Sequence, residues 1–212
     1  MSKKQFEEEY WTHHEQKLEE RHKLAVQLIG QPASILDLGC GDGFFLSQVS
    51  VRKKVGLELS KEAVKAAKKK GIDARVFDFE EKKLPFKQNE FDVVTLLDVL
   101  EHTFDPRKPL RIASQAGKRI VITVPNFAFF VSRLQALSGG VPTVLGERKG
   151  HIFYFTRKKL HKVFKDAGIR IVKEKYYFPM MHVPAIGLIS RVIGSIFPGF
   201  FATEFAVMGE KQ

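Results

Sequence analysis

The chain divides by the rhythm of its apolar positions. Residues 5–29 are polar, with apolar side chains at Leu18, Leu24, Val26, Leu28 and Ile29, a pattern that predicts mostly helix ending near Gly30 and Pro32. The rhythm then changes to short apolar runs: SILDLG (34–39), KVGLEL (54–59), ARVFDF (74–79), FDVVTLLDV (91–99) and RIVITVP (119–125). Each reads as a strand buried on both faces. Helical stretches follow the first, second and fourth runs: FFLSQVS, then KEAVKAAKKKG with Gly71 as its stop, and PLRIASQAGK from Pro109. The connection between the third and fourth runs is short and polar. Strands alternating with helices predict right-handed crossovers and a mostly parallel sheet covered by helices on both faces.

Beyond Pro125 the pattern predicts a helix over 127–138, a Gly-rich charged loop GGVPTVLGERKGH (139–151) suited to a lid, and a helix over 157–167 closing at Gly168. IRIVKEKYYF (169–178) alternates as a strand should. A helix over 185–196, with Ile186, Ile189, Ile193 and Ile196 on one face, and a strand near 202–208 complete the chain. The two late strands form a hairpin that gives the sheet an antiparallel edge and a total of seven strands. The expected organisation is a helical arm or lid over 1–32, in which Tyr10 and Trp11 are candidates to fold over a ligand, and one α/β domain over 33–212.

Composition narrows the class. At 212 residues, 44% hydrophobic and 28% charged, the chain can bury a sizeable core and lies far from disordered compositions. The lone Cys40 excludes an internal disulfide framework and any cysteine-built metal site. With acidic residues where a signal peptide needs an apolar run, this leads us to expect a cytoplasmic protein. The net charge of +11 favours anionic partners. The basic residues are spread in short groups along helix faces and loops, however, and no nucleic-acid module accompanies them.

The chemistry concentrates after the first strand. ILDLGCGDGFF sets Gly39, Gly41 and Gly43 between a buried strand and a helix, where glycine permits a tight turn and close approach of a ligand to the backbone. The spacing G-x-G-x-G, with Asp37 two residues ahead, is not the G-x-G-x-x-G of a dinucleotide site and argues against NAD. Glu58 ends the second strand, 19 residues after Gly39, where a carboxylate can accept hydrogen bonds from both ribose hydroxyls of a nucleoside. Asp78, ending the third strand, is placed to accept from an adenine amine. An adenosine ligand without a pyrophosphate fits this set.

The acid ahead of G-x-G-x-G, the acids ending strands two and three, and the FDVV of strand four together resemble the class I S-adenosylmethionine-dependent methyltransferases. That resemblance implies a Rossmann-like fold and S-adenosylmethionine as cofactor. Asp37, Gly39 and Gly41 would line its methionine end, Glu58 hold the ribose, and Asp78 and Phe79 border the adenine, with Cys40, Leu59 and Leu97 beside them. A sulfonium is already an activated methyl donor, so the protein must align a nucleophile and, for oxygen, help remove its proton.

A second group follows strand four. LLDVLEHTFDP puts Asp98, Glu101 and His102 at i, i+3 and i+4, on one face of a helical turn. This segment resembles the ubiquinone-pathway catechol O-methyltransferases and the small-RNA 2′-O-methyltransferases, which implies a divalent ion, Mg²⁺, Mn²⁺ or Zn²⁺, held by Asp98, Glu101, His102 and a later His, here His151. Such an ion would bind a substrate hydroxyl and lower its pKa. Without metal, His102 or His151 is the candidate general base, with Asp98 beside it. The stretches VPNFAFFVSRLQALSGGVPTV and GHIFYFTRKKLHKVFKDAGIRI resemble the MetW family. That likeness also admits a cofactor-binding accessory protein that regulates another enzyme, and the positive charge admits an RNA methyltransferase.

Aromatic side chains gather at Phe127, Phe129, Phe130, Phe153, Tyr154 and Phe155, in segments that cover the acceptor side of such a fold. The expected acceptor is a small molecule, with an aromatic or apolar one suited to those walls. The apolar face over 185–197 is expected to pack on the sheet, with peripheral membrane contact as its other reading.

Overall fold

The computed structural model describes residues 3–13, 17–78, 83–142, 150–179 and 194–212. Two helices, α1 (Lys3–His13) and α2 (Glu20–Ile29), stand where one helical stretch is expected. At the start of α2 the Glu19 N–H donates to His22 Nδ1 at 3.1 Å. His22 is buried, and that burial, with Arg21 beside it, lowers its pKa to about 4, so the ring is neutral and free to accept.

Seven strands follow: β1 (Ser34–Leu38), β2 (Lys53–Glu58), β3 (Asp73–Val76), β4 (Phe91–Leu97), β5 (Gly117–Pro125), β6 (Ile169–Tyr177) and β7 (Glu204–Lys211). They form one sheet in the order β3-β2-β1-β4-β5-β7-β6. β1 to β5 pair in parallel, and β7 lies antiparallel between β5 and β6, the expected edge hairpin. β3 is shorter than the sequence suggests, so Asp78 stands beyond its end rather than in it.

Side chains alternate between two cores, as the period of two demands. Leu36, Val94, Leu96, Ile120 and Ile122 face one layer, closed by α5 (Arg107–Ala116) and α7 (Arg157–Asp166) through Leu110, Ala113, Leu160 and Phe164. Ile35, Val93 and Val121 face the other, closed by α2, α3 (Phe44–Gln48) and α4 (Lys61–Lys69) through Leu28, Phe45 and Val64. No break in packing falls at 32–33 among the described residues, since α2 is part of the core; α1 packs against α4. It is latched by Glu8, whose carboxylate accepts from Ser60 Oγ (2.8 Å) and the Lys61 N–H (2.9 Å) at the start of α4.

α6 (Phe130–Leu137) begins three residues later than expected because Asn126 holds a turn, its Oδ1 accepting from the Ala128 N–H at 3.0 Å. A short helix, α8 (Pro198–Phe201), precedes β7. Most of the 185–196 helix and of the 139–151 loop falls outside the described residues. No helix among the described residues is long and apolar enough to cross a membrane.

Candidate functional site

The parallel strands end together on one edge of the sheet, and β7, running the other way, starts there. β1 leaves through Gly39, Gly41 and Gly43, with φ of +80°, +53° and +75°. Gly39 is doubly constrained, since a Cβ there would also lie 2.7 Å from Val99 Cγ2. The turn is tied across to β2: the N–H groups of Gly39 and Cys40 donate to the Leu57 carbonyl at 2.8 and 3.1 Å. Its far side is anchored by buried Asp42, which accepts from Lys70 Nζ at 2.5 Å and from the Phe44 N–H at 3.1 Å. The Cys40 side chain is turned into the core, so only its backbone fronts the turn.

Two acids stand beneath this turn. Asp37 is buried and accepts from Thr95 Oγ1 at 2.6 Å. Burial pushes its pKa up to about 7 against that hydrogen bond, with Glu58 reinforcing the rise. Glu58, also buried, accepts through Oε2 from the Gly41 N–H (3.0 Å) and through Oε1 from the N–H groups of Leu59 (2.6 Å) and Ser60 (3.0 Å). Three backbone donors thus fix the carboxylate at the strand end between the glycine turn and α4. Leu59 and Leu97 are half-buried at the ends of β2 and β4, Asp78 is half-buried past β3, and Phe79 lies outside the described residues.

The second group splits. Asp98 follows β4 with φ +54°, a left-handed conformation, so it does not share a helical face with Glu101 and His102, which sit in a 3₁₀ turn (Leu100–His102). The Asp98 carboxylate instead accepts from Thr123 Oγ1 at 2.8 Å and lies 3.1 Å from the Arg21 guanidinium. Glu101 is 1% exposed, and its carboxylate oxygens have no hydrogen-bond partner among the described residues. Burial, with Asp98 nearby, raises its pKa well above the carboxylate range.

The Glu101 carbonyl accepts from the N–H groups of Ile152 (2.9 Å) and Phe153 (3.0 Å), and this pins the loop that carries His151. His151 Nε2 comes to 4.0 Å from Glu101 Oε1, and the His102 and His151 rings meet edge-on at 5.0 Å. One ligand atom from each of Glu101, His102 and His151 lies within 4.8 Å of the others, and Asp98 is not in the group.

Sequence reasoning missed Arg21 and Glu204. Arg21, from α2, also pairs with Glu19, and the field of Asp98, Glu19 and Glu204 outweighs burial to raise its pKa. Glu204, opposite Pro125 in the sheet, is pushed up to about 7 by burial and by Asp98. No local motif marks either residue. Thr95 had a visible signal, as the lone hydroxyl within the buried apolar run 93–96 of β4.

This strand order, with the glycine turn after β1 and an acid closing β2, defines the class I methyltransferase fold. The chain belongs to the family described as methionine biosynthesis protein MetW, which it matches over residues 19–164. It is 28% identical over 115 residues to the bifunctional methionine biosynthesis protein MetXA/MetW of Rhodopirellula baltica, covering 49% of this chain and 18% of that one. It is 30% identical over 113 residues to a ubiquinone biosynthesis O-methyltransferase of Chromobacterium violaceum, covering 48% and 49%. The chain spans 58%, 18% and 65% of the length of the first three curated relatives it matches. Among solved structures, a SAM-dependent methyltransferase of Thermotoga maritima, described as a possible histamine N-methyltransferase, superposes with a TM-score of 0.64 at 16% identity, over 91% of this chain and 87% of that one.

Proposed function

We propose that the protein binds S-adenosylmethionine at the glycine turn and transfers its methyl group to the hydroxyl of a small-molecule acceptor. The observation that carries this reading is the Glu58 carboxylate, held by three backbone N–H groups beside a left-handed glycine turn at the carboxyl edge of a parallel sheet. A carboxylate oriented in advance binds vicinal hydroxyls without losing side-chain freedom at the moment of binding. Asp37 faces the methionine end with its acidity, Asp78 borders the adenine, and the backbone of Cys40 with Leu59 and Leu97 completes the walls. α1, latched through Glu8, brings Tyr10 and Trp11 in as the lid.

The residues after β4 shape the acceptor side. Glu101, His102 and His151 fit a divalent ion: a buried carboxylate without a hydrogen-bond partner and two imidazoles converge, the donor set that suits Mn²⁺ or Zn²⁺ and admits Mg²⁺. When bound, such an ion supplies a Lewis acid that lowers the pKa of the acceptor hydroxyl. The chain's own part is to hold His102 in the 3₁₀ turn and His151 through the loop pinned on the Glu101 carbonyl, and to keep Asp98 turned toward Arg21, outside the group. The MetW family membership supports a second reading, a cofactor-binding accessory protein, in which the same turn binds the nucleoside and no methyl acceptor is turned over.

Titration calorimetry with S-adenosylmethionine and S-adenosylhomocysteine tests the cofactor. Glu58→Ala is expected to weaken binding by about 1 to 3 kcal/mol, the range for hydrogen bonds to a charged group. No uptake by the folded wild-type protein would overturn the reading. For the metal, Mn²⁺ and Zn²⁺ are expected to bind the wild-type protein and to lose at least about tenfold in affinity in His151→Ala. Absence of binding, or full activity in excess chelator, leaves His102 or His151 as a metal-free base.

A further inference from the structure

A cavity of about 670 Å³ opens between the start of α6, the start of α7 and the segment 196–200, and shares no lining residue with the glycine turn or the Glu101 group. Its walls are of two kinds. Ile196, Phe197 and Phe200 give an apolar side, and Arg133, Arg157 and Lys158 a cationic one. Two of the cations are held in place: Arg133 stacks on the Phe200 ring at 5.2 Å and donates to the Ala128 carbonyl, while Arg157 is braced by both carboxylate oxygens of Glu174 at 3.0 Å.

The apolar character continues outward onto the surface. Leu137 follows Arg133 by one helical turn, so it stands on the same strip of α6, and it is 84% exposed. Val141 just beyond the helix is 76% exposed, Ile196 64% and Phe197 60%. In all of α6 only Ser132 is buried, so this helix turns its leucines to the outside. Exposed apolar side chains grouped beside a cavity with cations on its wall are the kind of surface that marks an interaction face.

We infer that this face docks on an anionic lipid bilayer, with Leu137, Val141, Ile196 and Phe197 entering the interface and Arg133 and Lys158 meeting lipid phosphates. Charge selects the occupant. A second copy of the chain would bring another +11 against a basic rim, whereas an anionic leaflet supplies the complementary sign. Aromatic and aliphatic side chains ringed by Arg and Lys are also the composition of surfaces that lie in a bilayer interface without crossing it. This surface differs from the 185–197 face anticipated from the sequence: it is built by α6 and the approach to α8, and meets the earlier one only at Ile196 and Phe197.

The test is flotation of the full-length protein with vesicles of phosphatidylcholine alone and with a third of the lipid replaced by phosphatidylglycerol, at low and at 0.5 M salt. Binding is expected to the anionic vesicles only and to fall at high salt. Leu137→Asp and Lys158→Glu are each expected to cut the bound fraction at least fivefold. Leu137 and Lys158 are exposed, so both variants should keep the wild-type thermal transition, which is measured alongside. Three results overturn the inference: no flotation with anionic vesicles, flotation unchanged in both variants, or a concentration-dependent dimer in sedimentation that Leu137→Asp abolishes. None of these readouts depends on methyl transfer, so they stand or fall apart from the cofactor titrations.

Discussion

Arg21→Ala is expected to destabilise the protein by about 1 to 3 kcal/mol at pH 8, since its partners Asp98 and Glu19 keep part of their hydration while the facing Glu204 loses a compensating positive charge. Arg21 is the guanidinium between Glu19 and Asp98, and its field reaches Glu204 and Glu101. Without it, one corner of the carboxyl edge holds several acids and no facing arginine. The loss should shrink toward pH 6, because Glu204, already held at about 7 by burial and Asp98, takes up a proton there and ceases to be a buried charge. The sign follows from its raised pKa: the folded state holds a proton that the unfolded chain has released, so stability is lost as pH rises through the folded pKa. Adding Asp98→Asn to Arg21→Ala should recover part of the loss, with a coupling between about 0.5 and 3 kcal/mol. Urea unfolding of the four proteins at pH 6 and pH 8 measures this. Equal losses at both pH values, and strict additivity, would show that Arg21 acts only through packing.

Arg21 also marks where the sequence stops being legible. The parallel sheet could be read from five apolar runs: β1, β2, β4 and β5 are buried along most of their length, whereas β3, at the sheet edge, buries only Ala74 and is not the doubly covered strand its sequence suggests. The glycine turn and Glu58 were legible because a tight turn and a strand-end acid are local in sequence. Asp98 was misplaced for a physical reason: the helical spacing to Glu101 and His102 assumed right-handed backbone throughout, and its φ of +54° breaks that assumption. The meeting of Glu101 with His151 was anticipated only through a resemblance. What produces it is the Glu101 carbonyl binding two N–H groups fifty residues on, a contact no periodicity encodes. Arg21 and Glu204 come from a helix ahead of the first strand and from the last strand, and the insertion of β7 beside β5 brings Glu204 to the same edge. Secondary structure, the glycine turn and Glu58 are thus written locally, whereas the group of Glu101, His102 and His151 is assembled by topology.

Asp37→Asn should separate stability from cofactor binding. In the ligand-free protein the buried Asp37 has its pKa raised from the usual carboxylate value near 3.9 to about 7, so it draws stability down as pH climbs from about 4 to about 7. Burial is the main cause, Thr95 opposes it, and Glu58 adds to it. Glu204 works in the same direction over that window, while His22, lowered to about 4, works against both below about pH 6.5. Ligand-free wild-type protein is therefore expected to melt at a lower temperature at pH 7.5 than at pH 5.5, and Asp37→Asn to flatten that slope by one proton. Over the whole window this amounts to a few kcal/mol.

Binding should move the other way. The methionine end of the proposed ligand carries an ammonium and a sulfonium, and positive charge beside Asp37 favours its ionised form. Uptake of the cofactor near pH 6 should then release close to one proton, measurable as a dependence of the calorimetric heat on the buffer's own ionisation enthalpy. The wild-type Kd should tighten between pH 6 and pH 8, and in Asp37→Asn both the proton release and the pH dependence should vanish while the affinity falls. A wild-type Kd that stays flat across this range, matched by an equally tight Asn variant, would mean that Asp37 is a structural acid held by Thr95 and that the positive end of the ligand lies elsewhere. The raised pKa of Asp37 is a cost of burial, and the proposed ligand's positive charge is what these measurements would show relieving it.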